Sequence, residues 1–223
     1  MLLRTNKKFL LYLIFFLFLG TLNNKNIQHF EIPKISNIEV SGLDAMNNTL
    51  IEKNLEFFKL KNLFFLKKFE IEKIINSNNL VENFSIFKKY PSSLQISIEK
   101  TKLLAYVNKN GSYYFLGSNG KLIEMANKKV SLPFIFGNFR NKEFFNFKSK
   151  IDKSSLNYKD IKNLYYFSSG RWDIETKNGI IIKFPQEKII DAIDLSLRII
   201  KSQNFQNIKI IDLRQNNQVV INE

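Results

Sequence analysis

The most constraining feature of this sequence is the apolar run Phe9–Leu22, in which fourteen consecutive residues carry no charge. Each large side chain of this kind that stays in water costs about 1.5–3 kcal/mol. A membrane-spanning helix needs about 20 apolar residues at a rise of about 1.5 Å each, so the run alone is short for a span. Lys7 and Lys8 lengthen it, because lysine stems lie along apolar surface while their ammonium groups reach the lipid head groups.

Three interpretations fit a run of this length: a membrane anchor, the core of a cleaved signal peptide, or a buried helix. Gly20-Thr21-Leu22-Asn23 is a poor match to the small-residue pattern that signal peptidase requires. We therefore interpret residues 9–24 as an uncleaved anchor, with a cleaved signal peptide as the main alternative. The basic residues precede the run, so residues 1–8 are expected in the cytoplasm and the remainder outside it.

Composition excludes several kinds of chemistry. The chain has no Cys, which rules out disulfides, thiolate nucleophiles and Cys-ligated zinc. Its one His, His29, falls in a polar linker (residues 25–34) and is interpreted as solvated rather than catalytic. The net charge is +14, but the lysines are scattered without a sustained basic stripe, so we do not predict nucleic-acid binding. Attraction to anionic lipid head groups is left open.

The first segment after the linker has the order β-α-α-β-β. Thr49 and Glu52 form the pattern of a capping box, which predicts that a helix begins there. Leu94, Ile96 and Ile98 alternate with polar residues, which predicts a half-buried strand. The predicted elements are a strand at Ser36–Val40, the helix from Thr49, a helix near Phe69–Asn76, and strands at Phe84–Phe87 and Leu94–Ile98.

The second half is rich in predicted strands. The Asn-Gly pairs Asn119-Gly120 and Asn178-Gly179 favour two hairpins, because tight turns need the positive φ that glycine adopts. The remaining predictions are a helix over Asp152–Phe167, a helix whose apolar stripe is Ile189, Ile193, Leu197 and Ile200, and two closing strands at Ile208–Arg214 and Gln218–Ile221.

Several short motifs, taken in their order along the chain, resemble those of a known family. They include Ile38–Gly42, Asn62–Leu66, Tyr90–Leu94, the Leu-Pro-x-Ile-x-Gly motif at Leu132–Gly137, and the Ile-Asp-Leu-Arg motif ending at Arg214. The first segment resembles a POTRA domain, and the whole chain is similar to the FtsQ/DivIB family of bacterial cell-division proteins. The resemblance implies an α+β fold: a single N-terminal transmembrane helix, a POTRA domain over residues 35–104, and a mainly antiparallel β-domain with flanking helices over residues 105–223.

The closing strand is the predicted partner site. A final strand has a neighbour on one side only, and such edges bind partners by adding a further strand. The resemblance implies that the protein binds the bitopic division proteins FtsB and FtsL, that FtsB is held along the last strand, and that a basic residue lies beside this edge. The predicted partner-binding residues are Arg171, Arg214, Gln215, Asn217, Gln218, Val219, Val220 and Ile221.

Arg214 has two possible roles, and Gln215 departs from the family pattern. Arg214 is interpreted either as a partner contact or as half of a structural ion pair with Asp212 or Asp191. Gln215 stands where the family often has Tyr, so an aromatic anchor for the partner is missing at this position. Trp172 is interpreted as a core residue of its hairpin.

No arrangement of residues points to catalysis, a cofactor or a metal. Asp173 and Glu175 lie two apart on a predicted strand and so face one side, but on a lysine-rich surface we interpret them as salt-bridging carboxylates. The Phe-rich segments are expected to be mostly core: Phe57, Phe58, Phe64, Phe65, Phe144, Phe145 and Phe147.

The leading hypothesis is a non-enzymatic scaffold of the division machinery in the cell inner membrane, with most of the chain in the periplasm. It would bind FtsB/FtsL-type proteins and link them to septal peptidoglycan synthesis. The alternative from another class is an anchored or secreted cell-envelope enzyme or ligand-binding protein, which needs convergent carboxylates about 5–10 Å apart. The POTRA module of an outer-membrane transporter is disfavoured, because no run of amphipathic barrel strands follows.

Overall fold

The structure is a computed structural model of the chain, and it describes residues 7–22, 32–124, 130–202, 207–215 and 218–222. The described helices are α1 (Lys7–Leu22), α2 (Ala45–Leu55), α3 (Lys68–Asn76), α4 (Asn141–Asp152) and α5 (Ile189–Lys201). A three-stranded sheet contains β1 (Asn37–Ser41), β2 (Val81–Lys89) and β3 (Ser93–Lys100). A nine-stranded sheet contains β4 (Leu103–Lys109), β5 (Ser112–Gly117), β6 (Leu122–Glu124), β7 (Phe134–Phe136), β8 (Ile161–Tyr166), β9 (Trp172–Thr176), β10 (Ile181–Lys183), β11 (Ile210–Asp212) and β12 (Val220–Asn222).

The apolar run forms α1, a helix of 16 residues. Every large apolar side chain from Phe9 to Leu19 is at least 46% exposed, and none belongs to either hydrophobic core. Among the described residues, no helix combines the length with the apolar character that crossing a membrane requires.

The three-stranded sheet has the predicted β-α-α-β-β order. β3 lies in its middle, parallel to β1 and antiparallel to β2. Leu94, Ile96 and Ile98 of β3 are buried while Ser97 and Glu99 are exposed, as the alternation predicts. The two helices cover this face of the sheet with four buried residues: Ile51, Leu55, Ile71 and Ile75.

The predicted capping box at Thr49 is wrong. α2 begins at Ala45, because the Asp44 carboxylate accepts a hydrogen bond from the Asn47 backbone N–H at 3.1 Å and so caps the helix earlier. Thr49 lies inside the helix and donates its hydroxyl to the Ala45 carbonyl at 2.9 Å. Glu52 instead accepts a hydrogen bond from the Val40 N–H at 2.9 Å, which ties α2 to β1.

Six of the seven phenylalanines predicted to be mostly core divide into two groups, and the seventh, Phe145, is half-buried against the core. Three are buried as predicted: Phe58, Phe144 and Phe147. Phe57, Phe64 and Phe65 are instead 51%, 57% and 73% exposed, so the expectation of core positions is wrong for them. The flanking Leu63 and Leu66 enter the core in this segment, and they leave the intervening Phe pair on the surface.

The nine-stranded sheet has the order β12-β11-β10-β9-β8-β7-β4-β5-β6. It contains both predicted hairpins, β5–β6 and β9–β10, with Gly120 and Gly179 at positive φ in their turns. Trp172 is 3% exposed and stacks on Phe147 of α4 at a ring-centroid distance of 5.0 Å, so it is a core residue as predicted. α4 and α5 supply much of this core.

The predicted helix over Asp152–Phe167 is wrong, because this segment contains the end of α4, a 3-10 turn at Tyr158–Asp160 and strand β8. The misleading signal was the three-residue spacing between Ile161 and Leu164, both of which are buried. The pairing of β8 with β9 shifts register between Ile161 and Asn163. A β-bulge of this kind places residues three apart on one face of a strand, which imitates helical periodicity.

A polar cluster joins the two sheets. The buried Thr101 lies between them, and its hydroxyl oxygen is 3.0 Å from that of Ser118. Ser118 donates to the Glu82 carboxylate at 2.8 Å, and the Asn119 amide donates to the Val81 carbonyl at 2.8 Å. These bonds connect the β5–β6 turn of the second sheet with the beginning of β2 in the first.

Glu175 on β9 is held by three donors from the neighbouring strand. The Lys162 ammonium, the Asn163 amide and the Tyr165 hydroxyl each donate to its carboxylate at 2.8 Å. The hydrogen bond from Lys162 is the main cause that lowers the Glu175 pKa from its usual 4.5 to about 2. The ionised carboxylate is therefore part of how β8 and β9 are held together.

We predict that Ile96→Asp unfolds the three-stranded sheet, because Ile96 is fully buried and a charge there has no partner. The loss of unfolding free energy should exceed about 4 kcal/mol. Urea denaturation of the full chain, followed by far-UV circular dichroism, measures this loss. Circular dichroism is chosen because Trp172 fluorescence reports only on the other sheet. Ser97→Asp, at the exposed neighbouring position, is the matched control. Equal stability of the two variants would show that the burial of β3 has been assigned to the wrong face.

We predict that Glu175→Gln makes the second sheet less stable at pH 7 and also less sensitive to acid. The folded pKa lies below the ordinary value, so the stabilisation is complete above pH 4.5 and is lost as the pH falls towards 2. Urea unfolding followed by Trp172 fluorescence at several pH values measures both effects. Glu124→Gln is the control, because Glu124 is exposed on β6 and has no ion pair in the described part of the chain. If Glu175→Gln and the unsubstituted protein had the same unfolding free energy at every pH, the stabilising role of the ionised Glu175 carboxylate would be contradicted.

Candidate functional site

The last strand, β12, lies at one end of the nine-stranded sheet. It pairs antiparallel with β11, with Ile211 opposite Ile221 and Asp212 opposite Val220. Within the described residues, no strand pairs with the other side of β12. Its outer backbone groups are therefore available to an added strand.

A helical crossover makes β11 an interior strand. β10 and β11 are parallel, with Ile182 opposite Ile211, and α5 connects them across the sheet. The Leu213 N–H continues this pairing by donating to the Lys183 carbonyl at 2.9 Å. The predicted interior position of the strand near Ile208–Arg214 is thus confirmed, although the strand itself is limited to Ile210–Asp212.

The residues at and before β12 present apolar surface to solvent. Val219 and Val220 are 38% and 56% exposed, and Ile221 is half-buried. The strand covers Val220–Asn222, two residues later than the predicted start at Gln218. Exposed β-branched residues on an unpaired edge are the features that strand addition uses for side-chain contacts.

A groove of about 960 Å³ runs beside this edge, between α5 and the segment that leads into β12. Five of the predicted partner-binding residues line it: Arg171, Arg214, Gln215, Gln218 and Val219. Val220 and Ile221 lie on the adjoining strand, and Asn217 lies outside the described residues. The structure thus brings most of the predicted residues to one surface.

Arg171 is held at the groove by two contacts. Its Nε donates to Asp173 at 3.1 Å, and its guanidinium lies 4.3 Å from the centroid of the Phe167 ring. Asp173 is almost completely buried, and this burial raises its pKa in spite of the neighbouring arginine. Arg171 is therefore partly engaged in compensating a buried carboxylate.

Arg214 forms the structural ion pair that was one of its two interpretations. Its Nε lies 2.8 and 2.9 Å from the two carboxylate oxygens of Asp212, and its Nη2 donates to the same group at 2.5 Å. These hydrogen bonds lower the Asp212 pKa and keep the carboxylate ionised. The partner is Asp212 rather than Asp191, and the Arg214 side chain remains 43% exposed at the groove.

Two further cations line the groove, and the sequence prediction did not include them. Lys188 immediately precedes α5 in a left-handed conformation, and Arg198 is exposed on that helix. Neither forms an ion pair with another described residue. Arg198 lies three residues after Leu195 and seven after Asp191, so one face of α5 lines the groove. In the sequence, this face is recognisable as the side of the helix that does not carry the apolar stripe.

The carboxylates considered for catalysis each have a structural partner. Asp173 pairs with Arg171, and Glu175 pairs with Lys162. The described residues contain no group of three or more side chains suited to holding a metal ion. His29 lies outside the described residues.

Two family models match the chain. Residues 34–100 match the POTRA domain of FtsQ type, and residues 105–214 match the C-terminal domain of the cell division protein FtsQ/DivIB. The second match ends at Arg214, so β12 lies beyond it. The two matches occur in the order that the sequence resemblance predicts and together cover most of the chain.

Individual relatives agree with these models. FtsQ of Bradyrhizobium diazoefficiens is 20% identical over 72% of this chain and 48% of its own length. FtsQ of Rickettsia bellii is 22% identical over 84% of this chain and 72% of its own length. DivIB of Bacillus subtilis is 32% identical over 41% of this chain and 35% of its own length. The chain thus spans about half or less of several of the curated relatives that it matches.

A solved structure of the major extracytoplasmic domain of the cell division protein DivIB from Geobacillus stearothermophilus (trans isomer) covers 48% of this chain and 99% of its own, with 13% identity. Its TM-score of 0.34 is too low to support a statement about the fold. Both family models and the relatives named above carry the FtsQ or DivIB name. The protein belongs to the FtsQ/DivIB family of bacterial cell-division proteins.

Proposed function

We propose that this protein is a non-enzymatic, membrane-anchored scaffold of the division machinery. It binds small bitopic division proteins of the FtsB/FtsL type by adding a partner strand to β12. The observation that carries the proposal is the outer side of β12, with which no described strand pairs, together with exposed Val219 and Val220 next to a groove. Main-chain hydrogen bonds supply affinity in this mode, and side-chain contacts supply specificity.

The groove favours an acidic or polar partner segment beside the added strand. Four basic residues line it, Arg171, Lys188, Arg198 and Arg214, against two acidic ones, Glu187 and Asp191. Asp173 and Asp212 already engage two of the arginines, which leaves Lys188 and Arg198 as the cations most accessible to a partner. We infer that these two attract the partner and the strand edge then fixes its register.

The membrane part of the proposal is supported by α1. Its large apolar side chains are exposed on all sides of the helix, and such a surface requires lipid or another apolar environment. Lys7 and Lys8 lie at its N-terminal end, so the positive-inside rule places residues 1–8 in the cytoplasm. The protein then resides in the cell inner membrane with a POTRA domain (35–104) and a β-domain (105–223) in the periplasm.

The mechanism is assembly, and no bond is made or broken. A partner held at β12 in fixed register is presented to the enzymes of septal peptidoglycan synthesis while the scaffold stays attached to the membrane. The alternative of a cell-envelope enzyme needs convergent carboxylates, and the two considered for this role, Asp173 and Glu175, are engaged in ion pairs on the sheet.

We predict that Val220→Pro weakens partner binding at least about tenfold, because proline removes a backbone donor and disturbs the edge. Val220→Thr is the matched control, since threonine keeps the N–H and suits a strand. Co-purification of the full-length variants with an FtsB/FtsL-type partner from the same organism measures the effect. Deletion of residues 218–223 should abolish binding and leave the thermal unfolding of the remaining chain unchanged. Full binding by the truncated protein would place the site elsewhere.

We predict that Arg198→Glu slows partner association by about three- to tenfold at low salt, because it reverses an accessible charge in the groove. The difference should shrink as salt screens the interaction. Lys201→Glu is the control: it makes the same charge change on the same helix, at an exposed residue that does not line the groove. Association kinetics at several salt concentrations distinguish the two. Equal effects of both variants would mean that overall charge, rather than the groove, governs association.

A further inference from the structure

Exposed aromatic side chains cluster beside the three-stranded sheet, in the segment between α2 and α3 and in the turn between β2 and β3. We name Phe64, Phe65 and Tyr90 the aromatic patch; they are 57%, 73% and 58% exposed. The Phe64 and Tyr90 rings touch, with centroids 4.8 Å apart, although 26 positions separate them in the sequence. Leu60 and Phe69, exposed by 76% and 73%, flank the patch along the chain. Exposed aromatic rings in contact, with further exposed apolar side chains next to them in the chain, are typical of an interaction site.

The patch lies where the chain arrives from α1. Lys34 forms an isolated antiparallel bridge with Asn62, and the Ile35 N–H donates to the Lys61 carbonyl at 3.0 Å. The Asn62 side chain in turn accepts a hydrogen bond from the Phe65 N–H at 3.1 Å. Twelve Cα–Cα steps separate Leu22 from Lys34, so the end of α1 is at most about 43 Å away. The chain therefore keeps this side of the three-stranded sheet within that distance of the end of α1.

Lysines surround the patch. Lys88 donates to the Leu66 carbonyl at 2.9 Å, which places its ammonium beside the Phe pair. Lys61 and Lys68 pair with Glu70 and Glu72. Lys34, Lys67 and Lys88 form no ion pair with another described residue. The surface around the patch thus combines aromatic rings with an excess of positive charge.

We propose that the aromatic patch and its lysines dock on the anionic surface of the membrane that holds α1; this inference depends on the proposed anchoring. Aromatic rings insert at the boundary between head groups and acyl chains. Lysines close to the bilayer are attracted by anionic lipid. A protein partner would also bury aromatic rings, but the tether to α1 and the positive excess favour lipid as the occupant.

The chain has no Cys, so single-cysteine variants give unambiguous probe positions. We would label Phe65→Cys with bimane in the full-length protein and reconstitute it in vesicles that contain spin-labelled lipid. One set of vesicles is phosphatidylcholine alone, and the other also contains phosphatidylglycerol. Tyr113→Cys is the control position, because it is 57% exposed on the second sheet. Circular dichroism melting checks that each labelled variant remains folded.

We expect lipid quenching of the probe at position 65 to exceed that at position 113 severalfold in vesicles with phosphatidylglycerol and to fall in phosphatidylcholine alone. Adding Lys67→Glu should lower the docking equilibrium constant at least about fivefold, because each basic residue near an anionic surface raises that constant by about this factor. Lys109→Glu, an exposed lysine at the end of β4, should leave the quenching unchanged.

Three results would overturn the proposal, and flotation of the vesicles separates them. Protein that floats with the vesicles but shows equal quenching at positions 65 and 113 is anchored without docking. Strong quenching at position 65 that is the same with and without phosphatidylglycerol, and the same with and without Lys67→Glu, excludes anionic lipid as the ligand. Protein that does not float contradicts the proposed anchor itself, together with the docking that depends on it.

Discussion

The parallel pairing of β10 with β11 is the constraint on which the candidate site depends. Parallel neighbours cannot be joined by a tight turn, so the chain must cross the sheet, and here α5 makes the crossing. The helix buries Ile189 and Ile193 against the core and leaves its Asp191–Leu195–Arg198 face beside the groove. The same crossing makes β11 interior and β12 the end of the sheet. One connection therefore produces both the open edge and the groove beside it.

A second constraint couples the two sheets through polar contacts. Thr101 is buried between them, and the cluster around Ser118 satisfies its hydroxyl instead of leaving it unpaired. A side chain at Gly117 would displace this cluster, because a Cβ there would lie 2.6 Å from the Asn119 side-chain oxygen and 2.9 Å from the Thr101 hydroxyl. Hydrogen bonds are directional, so these satisfied polar contacts fix the relative orientation of the two sheets better than apolar contacts of the same area would.

Sequence patterns predicted those elements whose periodicity was undisturbed. The alternation of β3, the Asn-Gly hairpins and the stripe of α5 each follow a single rule, and the structure contains all three. The bulge at Ile161 gave a strand the spacing of a helix, and Asp44 began α2 before the Thr49 signal. At the site, the edge strand followed from chain order. The sequence offered Asp212 and Asp191 alike as partners of Arg214, and it did not show that Arg198 borders a groove, because both depend on three-dimensional neighbours.

The short length of β12 is understandable under the proposed function, in which the partner shares the membrane. A strand of three residues offers few backbone hydrogen bonds, and each contributes only about 0.5–1.5 kcal/mol net. Such an edge alone would bind weakly from solution. Two proteins anchored in one bilayer instead meet at an effective concentration that reaches the millimolar range for short linkers. Docking of the aromatic patch would narrow the orientations of the scaffold further, so that a short strand edge and two accessible cations suffice for a specific complex.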